Sequence, residues 1–288
     1  MPAPANPKLP RQRRLIVPEI ERLDRLAGLV NQPSRWRLDR IAFDQLAIGV
    51  DLGTAALKVV VLDRSGAPLA ARLEPGAVVR DGVVFDYAGA VLALRELLRS
   101  LRPDLEHSGA AAATAFPPGT GEAVAATARH VLEACGLRVR QVVEEPVAAA
   151  RALGLESGAI VDIGGGTTGI AVLEDGKVVS SSDEATGGLH LTLVLSGRHG
   201  ISFEAAEALK RRGGLEVVRV IEPVLDKIAD IIDRRLAGFP AASVLLVGGT
   251  CELEGAAEIL ARASGRRVRR ALQPQWPTPL GTALAALE

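Results

Sequence analysis

The chain is poor in aromatic side chains, in cysteine and in excess charge of either sign, and each shortage removes a class of function. Only 3% of its 288 residues are Phe, Trp or Tyr, too few for the stacking platforms on which nucleic-acid bases lie. The 34 Lys and Arg balance the 34 Asp and Glu, so no global field steers the molecule to a polyanion or an anionic membrane. Cys135 and Cys251 lie far apart without a C-x-x-C partner. They provide no disulfide framework or metal knuckle, and read as small buried hydrophobes in a reducing compartment. No run approaches the ~18 consecutive apolar residues of a membrane span, and Pro and Arg interrupt the N-terminus where a signal peptide requires an apolar core. The expectation is a cytoplasmic globular protein with neither nucleic acid nor membrane as partner.

Apolar residues make up 48% of the chain, enough for one large core or two smaller ones joined by a cleft. Residues 1–45 read as an N-terminal arm. Prolines and Arg11, Arg13 and Arg14 predict flexibility over 1–16. From Pro18 a short amphipathic helix is expected, with Ile20, Leu23, Ala27 and Val30 on one face. Such a helix either packs on the flank of the domain or docks to a partner.

The folded core starts near Leu46 and contains an internal repeat. Leu46 to Val50 leads into Asp51-Leu-Gly-Thr54, then an apolar run to Leu62, a turn at Asp63-Arg-Ser-Gly66 and a third strand. Ala159 to Val161 leads into Asp162-Ile-Gly-Gly-Gly-Thr167, then Ile170 to Leu173, a turn at Asp175-Gly176 and a third strand. Each half therefore opens with a meander whose first turn carries Asp-x-Gly and a threonine. Gly164, Gly166 and Gly169 also fit the G-x-G-x-x-G dinucleotide spacing, but that motif needs a helix to begin at the glycines. Here a strand follows, which weakens a reading as an NAD-dependent oxidoreductase; in that reading Asp183 or Glu184 would hold a ribose. Between and after the meanders, helices are predicted at 87–101, 122–134, 203–212, 222–236 and 254–263, and strands at 110–115, 139–143 and 243–247. The class is α/β with mixed sheets. Boundaries are expected at 46–150 for the first half and 151–288 for the second.

Backbone amides in a glycine-rich turn converge on phosphate oxygens, and glycine admits the main chain where a Cβ would collide. Two such turns, Gly53-Thr54 and Gly164-Gly165-Gly166-Thr167, would hold a nucleoside triphosphate from both sides. Lys58 places a charge on a phosphate or is a solvated strand residue. Asp51 and Asp162 suit a hydrated Mg²⁺ or cap their own turns. Glu145, before Pro146 at a helix start, accepts a hydrogen bond from water or serves the helix dipole beside Glu144. The chain has no G-x-x-x-x-G-K-[ST] P-loop and no G-x-S-x-G elbow. His107, His130, His190 and His199 lack chelating spacing, and Arg262 to Arg270 read as a basic solvated face.

These motifs resemble the superfamily of actin-like and heat-shock-chaperone ATPases, whose two ribonuclease-H-like halves clamp ATP. Asp51 to Thr54 with Lys58 resembles its first phosphate motif and Asp162 to Thr167 its second. Glu145 to Ala150 and Gly281 to Ala285 resemble its two connecting helices, Gly248-Gly249-Thr250 after Val247 its adenosine motif, and Glu207 to Lys210 the helix flanking adenine. The resemblance implies ATP and Mg²⁺ as ligands, Glu145 as the residue that positions the attacking water, slow turnover, and a hinge at the connecting helices. Because the chain stops soon after Ala285, the expectation is an ATPase core without peptide-binding or lid domains. Val79 to Val84, Ala115 to Thr120, Asp183 to Gly188 and Ile201 to Glu207 further resemble the EutJ family of ethanolamine-utilization proteins. That likeness implies a chaperone-like switch associated with a bacterial microcompartment, with a protein client such as the cobalamin-dependent ammonia-lyase. An actin-like scaffold or filament, or a pilus-assembly-type ATPase, is the alternative within the superfamily.

Overall fold

Two stretches of the chain repeat one plan: three strands joined by tight turns, then two further strands reached by helical crossovers. The computed structural model describes residues 17–76, 79–80, 83–240 and 242–288; the arm expected over residues 1–16 lies outside them. Helix α1 (Val17–Ala27) precedes β1 (Leu46–Leu52), β2 (Ala56–Asp63), β3 (Pro68–Pro75), the short pair β4 (Val79–Arg80) and β5 (Val83–Val84), α2 (Tyr87–Leu101), β6 (Ala111–Phe116), α3 (Glu122–Ala134), β7 (Arg138–Glu144) and α4 (Glu145–Ala152). There follow β8 (Gly158–Ile163), β9 (Thr168–Glu174), β10 (Lys177–Glu184), α5 (Gly188–His199), α6 (Phe203–Arg212), α7 (Leu215–Arg235), β11 (Val244–Val247), α8 (Ala256–Ser264), β12 (Val268–Arg270) and α9 (Pro277–Ala285).

The sheet orders, β3-β2-β1-β6-β7 and β10-β9-β8-β11-β12, are the same arrangement twice. In each sheet the first three strands are antiparallel and the last two run parallel to the central strand. β1 is buried along its whole length, which explains why Leu46-Ala-Ile-Gly-Val50 is continuously apolar rather than alternating.

The N-terminal segment covers the β3 edge. Leu23 and Leu26 of α1 are buried, Val30 bridges to Ala71, and the Asn31 side chain donates to Leu73 O and accepts from Leu73 N, each at 3.0 Å. The flank-packing alternative therefore describes this helix, with one correction: Val30 sits in a strand bridge beyond the helix, because α1 ends at Ala27. The exposed backbone of an edge strand is satisfied this way.

Three elements depart from the sequence reading. α7 begins at Leu215 and carries Pro223 inside it; burial of Val217, Ile221, Leu225, Ile228 and Ile232 outweighs the roughly 3 kcal/mol that an internal proline costs. The basic run ends in a strand, β12, with Arg270 donating to the Cys251 and Glu252 carbonyls at 3.3 and 3.4 Å and Arg266 paired with Asp233. These guanidiniums anchor loops as well as meeting solvent. α5 is a helix although Leu189, Leu191, Leu193 and Leu195 alternate with the period of a strand.

α9 packs most extensively on α4 and then on β1. A Cβ at Gly281 would lie 1.7 Å from the Ala148 carbonyl oxygen, and one at Gly49 would lie 2.4 Å from Ala283 N. Both glycines therefore set how closely backbones approach. Gly281→Ala is expected to destabilise the fold by about 3 kcal/mol through overpacking. Gly197→Ala in α5, where nothing lies within 4 Å of the new methyl, is expected to stabilise by about 0.5–1 kcal/mol. Denaturant titration of both variants checks the contrast.

Candidate functional site: two facing phosphate loops

The β1–β2 and β8–β9 turns meet across the gap between the sheets. A Cβ on Gly165 would lie 3.1 Å from Ala55 Cβ and 3.3 Å from Ala55 N, so the second glycine loop rests against Thr54-Ala55 of the first. The second loop is held from behind: Gly188 N donates to Gly164 O at 2.9 Å and Leu189 N to Gly165 O at 2.8 Å. The Thr250 hydroxyl also donates to Gly164 O, at 2.8 Å. Gly187 can occupy this support only without a side chain, since a Cβ would come within 2.8 Å of the Gly164 and Gly165 carbonyls.

The carboxylates sit where the strands end. In the first half Asp51 lies opposite Lys58 across the hairpin, and Lys58 Nζ donates to Asp51 Oδ2 at 2.8 Å. Burial works against the Lys58 charge, but Asp51, followed by Asp162 and Glu145, keeps the ammonium above its ordinary value. In the second half Asp162 lies opposite Gly169, which removes the equivalent cation. Thr278 supplies a hydroxyl instead, donating to Asp162 Oδ2 at 2.5 Å. Burial pushes Asp162 up to about 6, against the Thr278 hydrogen bond, with Asp51 raising it further and Lys58 opposing.

Glu145 opens α4. Burial, then repulsion from Asp162, Asp51 and Asp183, holds it well above the usual carboxylate range, with Lys58 acting in the opposite direction. Its neighbour Glu144 is directed elsewhere and accepts from Ser181 Oγ of β10 at 2.5 Å.

Asp183 joins this group although the sequence placed it only in the dinucleotide alternative. It lies opposite Gly169 on β10, so Asp162, Gly169 and Asp183 form one row across three strands. Its Oδ1 is buried without a hydrogen-bond partner. Burial lifts it to about 7, against a hydrogen bond from Thr167. The signal available in the sequence was Asp183-Glu-Ala-Thr-Gly-Gly188, whose glycines back the Gly164–Gly166 loop. Thr278 gave no such signal.

The residues assigned to adenosine lie together beside the second loop. Glu207 accepts from Lys210 Nζ and Thr192 Oγ1, each at 2.6 Å, and from Arg211 Nε at 3.0 Å. Lys210 Nζ also donates to Gly188 O at 3.0 Å and Thr192 Oγ1 at 2.8 Å, so all three of its protons have partners within the protein. Thr250 likewise spends its hydroxyl on the loop. Gly248, at φ 92°, packs on Asp162: a Cβ there would lie 2.5 Å from Oδ1. Gly249 faces open space.

Among the described residues no three His, Cys, Asp or Glu side chains are placed to hold a metal ion directly. Asp51, Asp162 and Glu145 around Lys58, with Asp183 beside Asp162 and Glu145, nonetheless outnumber the one cation, a fit for a metal ion held through its water shell. Cys135 and Cys251 are both buried free thiols. No described helix is long and apolar enough to cross a membrane.

Duplicated mixed sheets with a turn from each facing the other define the actin-like ATPase fold. The MreB/Mbl protein family profile matches residues 73–194, and that of the type IV pilus assembly protein PilM matches residues 138–269. MreB5 of Spiroplasma citri bound to ADP has a TM-score of 0.69 at 18% identity, over 84% of this chain and 96% of that one, a likeness of fold alone. Ethanolamine utilization protein EutJ of Escherichia coli (strain K12) is 43% identical over 249 residues, 84% of this chain and 87% of its own length. The crystal structure of EutJ from Carboxydothermus hydrogenoformans matches with a TM-score of 0.84 at 41% identity, over 93% of this chain and 98% of that one. The chain belongs to the EutJ family.

The raised carboxyls fix the sign of a pH effect. Asp183 titrates near 7 when folded against about 3.9 unfolded, so the folded state binds more protons across that interval. Its contribution to stability therefore falls as pH rises from about 4 to about 7. Asp183→Asn is expected to raise the melting temperature of the ligand-free protein most at about pH 8, by a smaller amount at about pH 5 and little at about pH 4. Equal shifts at all three pH values in a thermal melt would contradict the assignment.

Proposed function

We propose that the chain is an ATP-binding, slowly hydrolysing switch acting in ethanolamine utilization, with a protein client as its output. The observation that carries this reading is the facing pair of phosphate loops with Asp51, Lys58, Asp162 and Glu145 gathered at their ends. Amides of Gly53, Gly165 and Gly166 and the hydroxyl of Thr54 would cradle the phosphates, with the Lys58 ammonium as their charge partner; Gly164, whose amide donates to Thr167 O at 2.9 Å, would shape the turn, and Thr167 would have to exchange its hydrogen bond to Asp183 for one to phosphate. Glu145 would accept a hydrogen bond from the attacking water and orient it toward the γ-phosphorus. Asp51 and Asp162 would hold a hydrated Mg²⁺, which neutralises charge on the phosphoryl oxygens when bound. For adenosine, Gly248 and Gly249 offer backbone and open space, while Glu207, Lys210 and Thr250 would act by shaping the wall, since their polar atoms are already paired.

The contact between Gly165 and Ala55 means that the loops must part to admit a nucleotide. A change in their separation is then the natural output of γ-phosphate loss. The EutJ relatives supply the setting: their names tie them to ethanolamine utilization, and a client such as the ammonia-lyase or another microcompartment component is proposed on that basis. The strand β9 that follows the glycine loop argues against the dinucleotide alternative, which requires a helix there. The PilM and MreB/Mbl matches favour keeping a pilus-type or filament-forming scaffold as the second reading.

Thermal shift with Mg-ATP against NAD is the first test, with stabilisation by Mg-ATP expected and stabilisation by NAD alone overturning the proposal. Glu145→Gln should retain ATP binding and lose about 100-fold or more in turnover. Unchanged phosphate release by this variant would remove Glu145 from the catalytic role. Light scattering that rises with ATP and protein concentration would favour the filament reading.

A further inference from the structure

Asp162 and Glu145 come from different elements, yet a short path of backbone and one hydroxyl joins them. The Thr278 hydroxyl reaches Asp162 Oδ2 at 2.5 Å across 116 residues of sequence, and both residues are buried. Threonine in a first helical turn ordinarily serves the helix's own backbone, but the α9 N-terminus has no side-chain cap and Thr278 is directed at the carboxylate. Its own carbonyl accepts from Thr282 Oγ1 at 2.8 Å, fixing that turn. On the other side, Asp162 Oδ1 is confined by Gly248, whose amide donates to Pro274 O at 2.7 Å, just before α9. One helical turn beyond Thr278, Gly281 lies against the Ala148 carbonyl with no room for a methyl group. Ala148 is in turn one turn beyond Glu145 on α4.

We infer that Thr278 is a positioning residue that couples the Asp162 carboxylate to the α9–α4 crossing and, through that crossing, to Glu145. The inference rests on the nucleotide reading above and extends it to the hinge. Beyond the Thr278–Asp162 hydrogen bond, each link in the path is a backbone contact or a single turn of helix, so none of those absorbs a displacement by rotamer change. When a ligand reorients Asp162, the first turn of α9 moves with it, and the Gly281–Ala148 contact passes the movement to α4. A helix crossing packed this tightly has few alternative registers, which suits a switch with discrete states.

The test uses the full chain with Thr278→Val, which keeps shape and removes the donor, and Thr278→Ser, which restores it. Calorimetry measures Mg-ATP binding, and hydrogen exchange follows the amides of 145–152 and 277–285. In the wild type and in Thr278→Ser, Mg-ATP is expected to slow exchange in both helices. In Thr278→Val, ATP affinity should stay within about threefold while the gain of protection over 145–152 falls by about threefold or more. An undiminished gain in Thr278→Val, or none in a wild type that binds Mg-ATP, overturns the coupling. A wild type that binds no Mg-ATP overturns the nucleotide reading itself, and the two failures are thereby distinct. A melt without nucleotide separates misfolding from lost coupling; should Val not fold, Thr278→Ala carries the same readout.

Discussion

The contact of Gly281 with the Ala148 carbonyl is the constraint around which the molecule is arranged. It brings α9 and α4 to backbone distance, a separation that a single methyl group on Gly281 would prevent. α9 simultaneously lies on β1, where Gly49 admits the Ala283 amide. One helix therefore references both the central strand of the first sheet and the helix leading to the second. Glu145 stands at the start of α4 and Thr278 at the start of α9, so the site residues inherit their positions from this crossing.

The electrostatics follow from burying like charges at the mouth of duplicated sheets. The first half answers Asp51 with Lys58 from the adjacent strand. The second half has glycine at that position and an additional acid, Asp183, one strand further out. The row Asp51–Lys58–Leu73 thus corresponds to the row Asp162–Gly169–Asp183. The two halves share the backbone path but not the charge: the first row pairs an acid with a cation, and the second holds two acids and no cation. Asp162, Asp183 and Glu145 all hold protons more tightly than free carboxyls, first because they are buried and then because they repel one another or Asp51.

The order of strands and most helices was legible because they depend on local pattern: apolar runs, tight turns with Asp and Gly, and caps. Failures occurred where tertiary packing overrode that pattern. Pro223 looks like a helix start and lies within α7. A basic run looks like a solvated face and ends in a strand. Leu189 to Leu195 alternates like a strand and is helical, with the amides of Gly188 and Leu189 at the start of that helix donating to the glycine loop.

The sequence by itself determined the two glycine turns, the position of Glu145 at a helix start and the repeat that relates the halves, since each is a property of a few neighbouring residues. Only the tertiary structure decided which groups those turns meet. Asp183 enters the site through strand register, Lys210 and Thr250 are drawn into supporting the loop, and Thr278 takes hold of Asp162 from 116 residues away. Such contacts depend on how two sheets and two crossing helices pack in space, and no spacing along the chain encodes them.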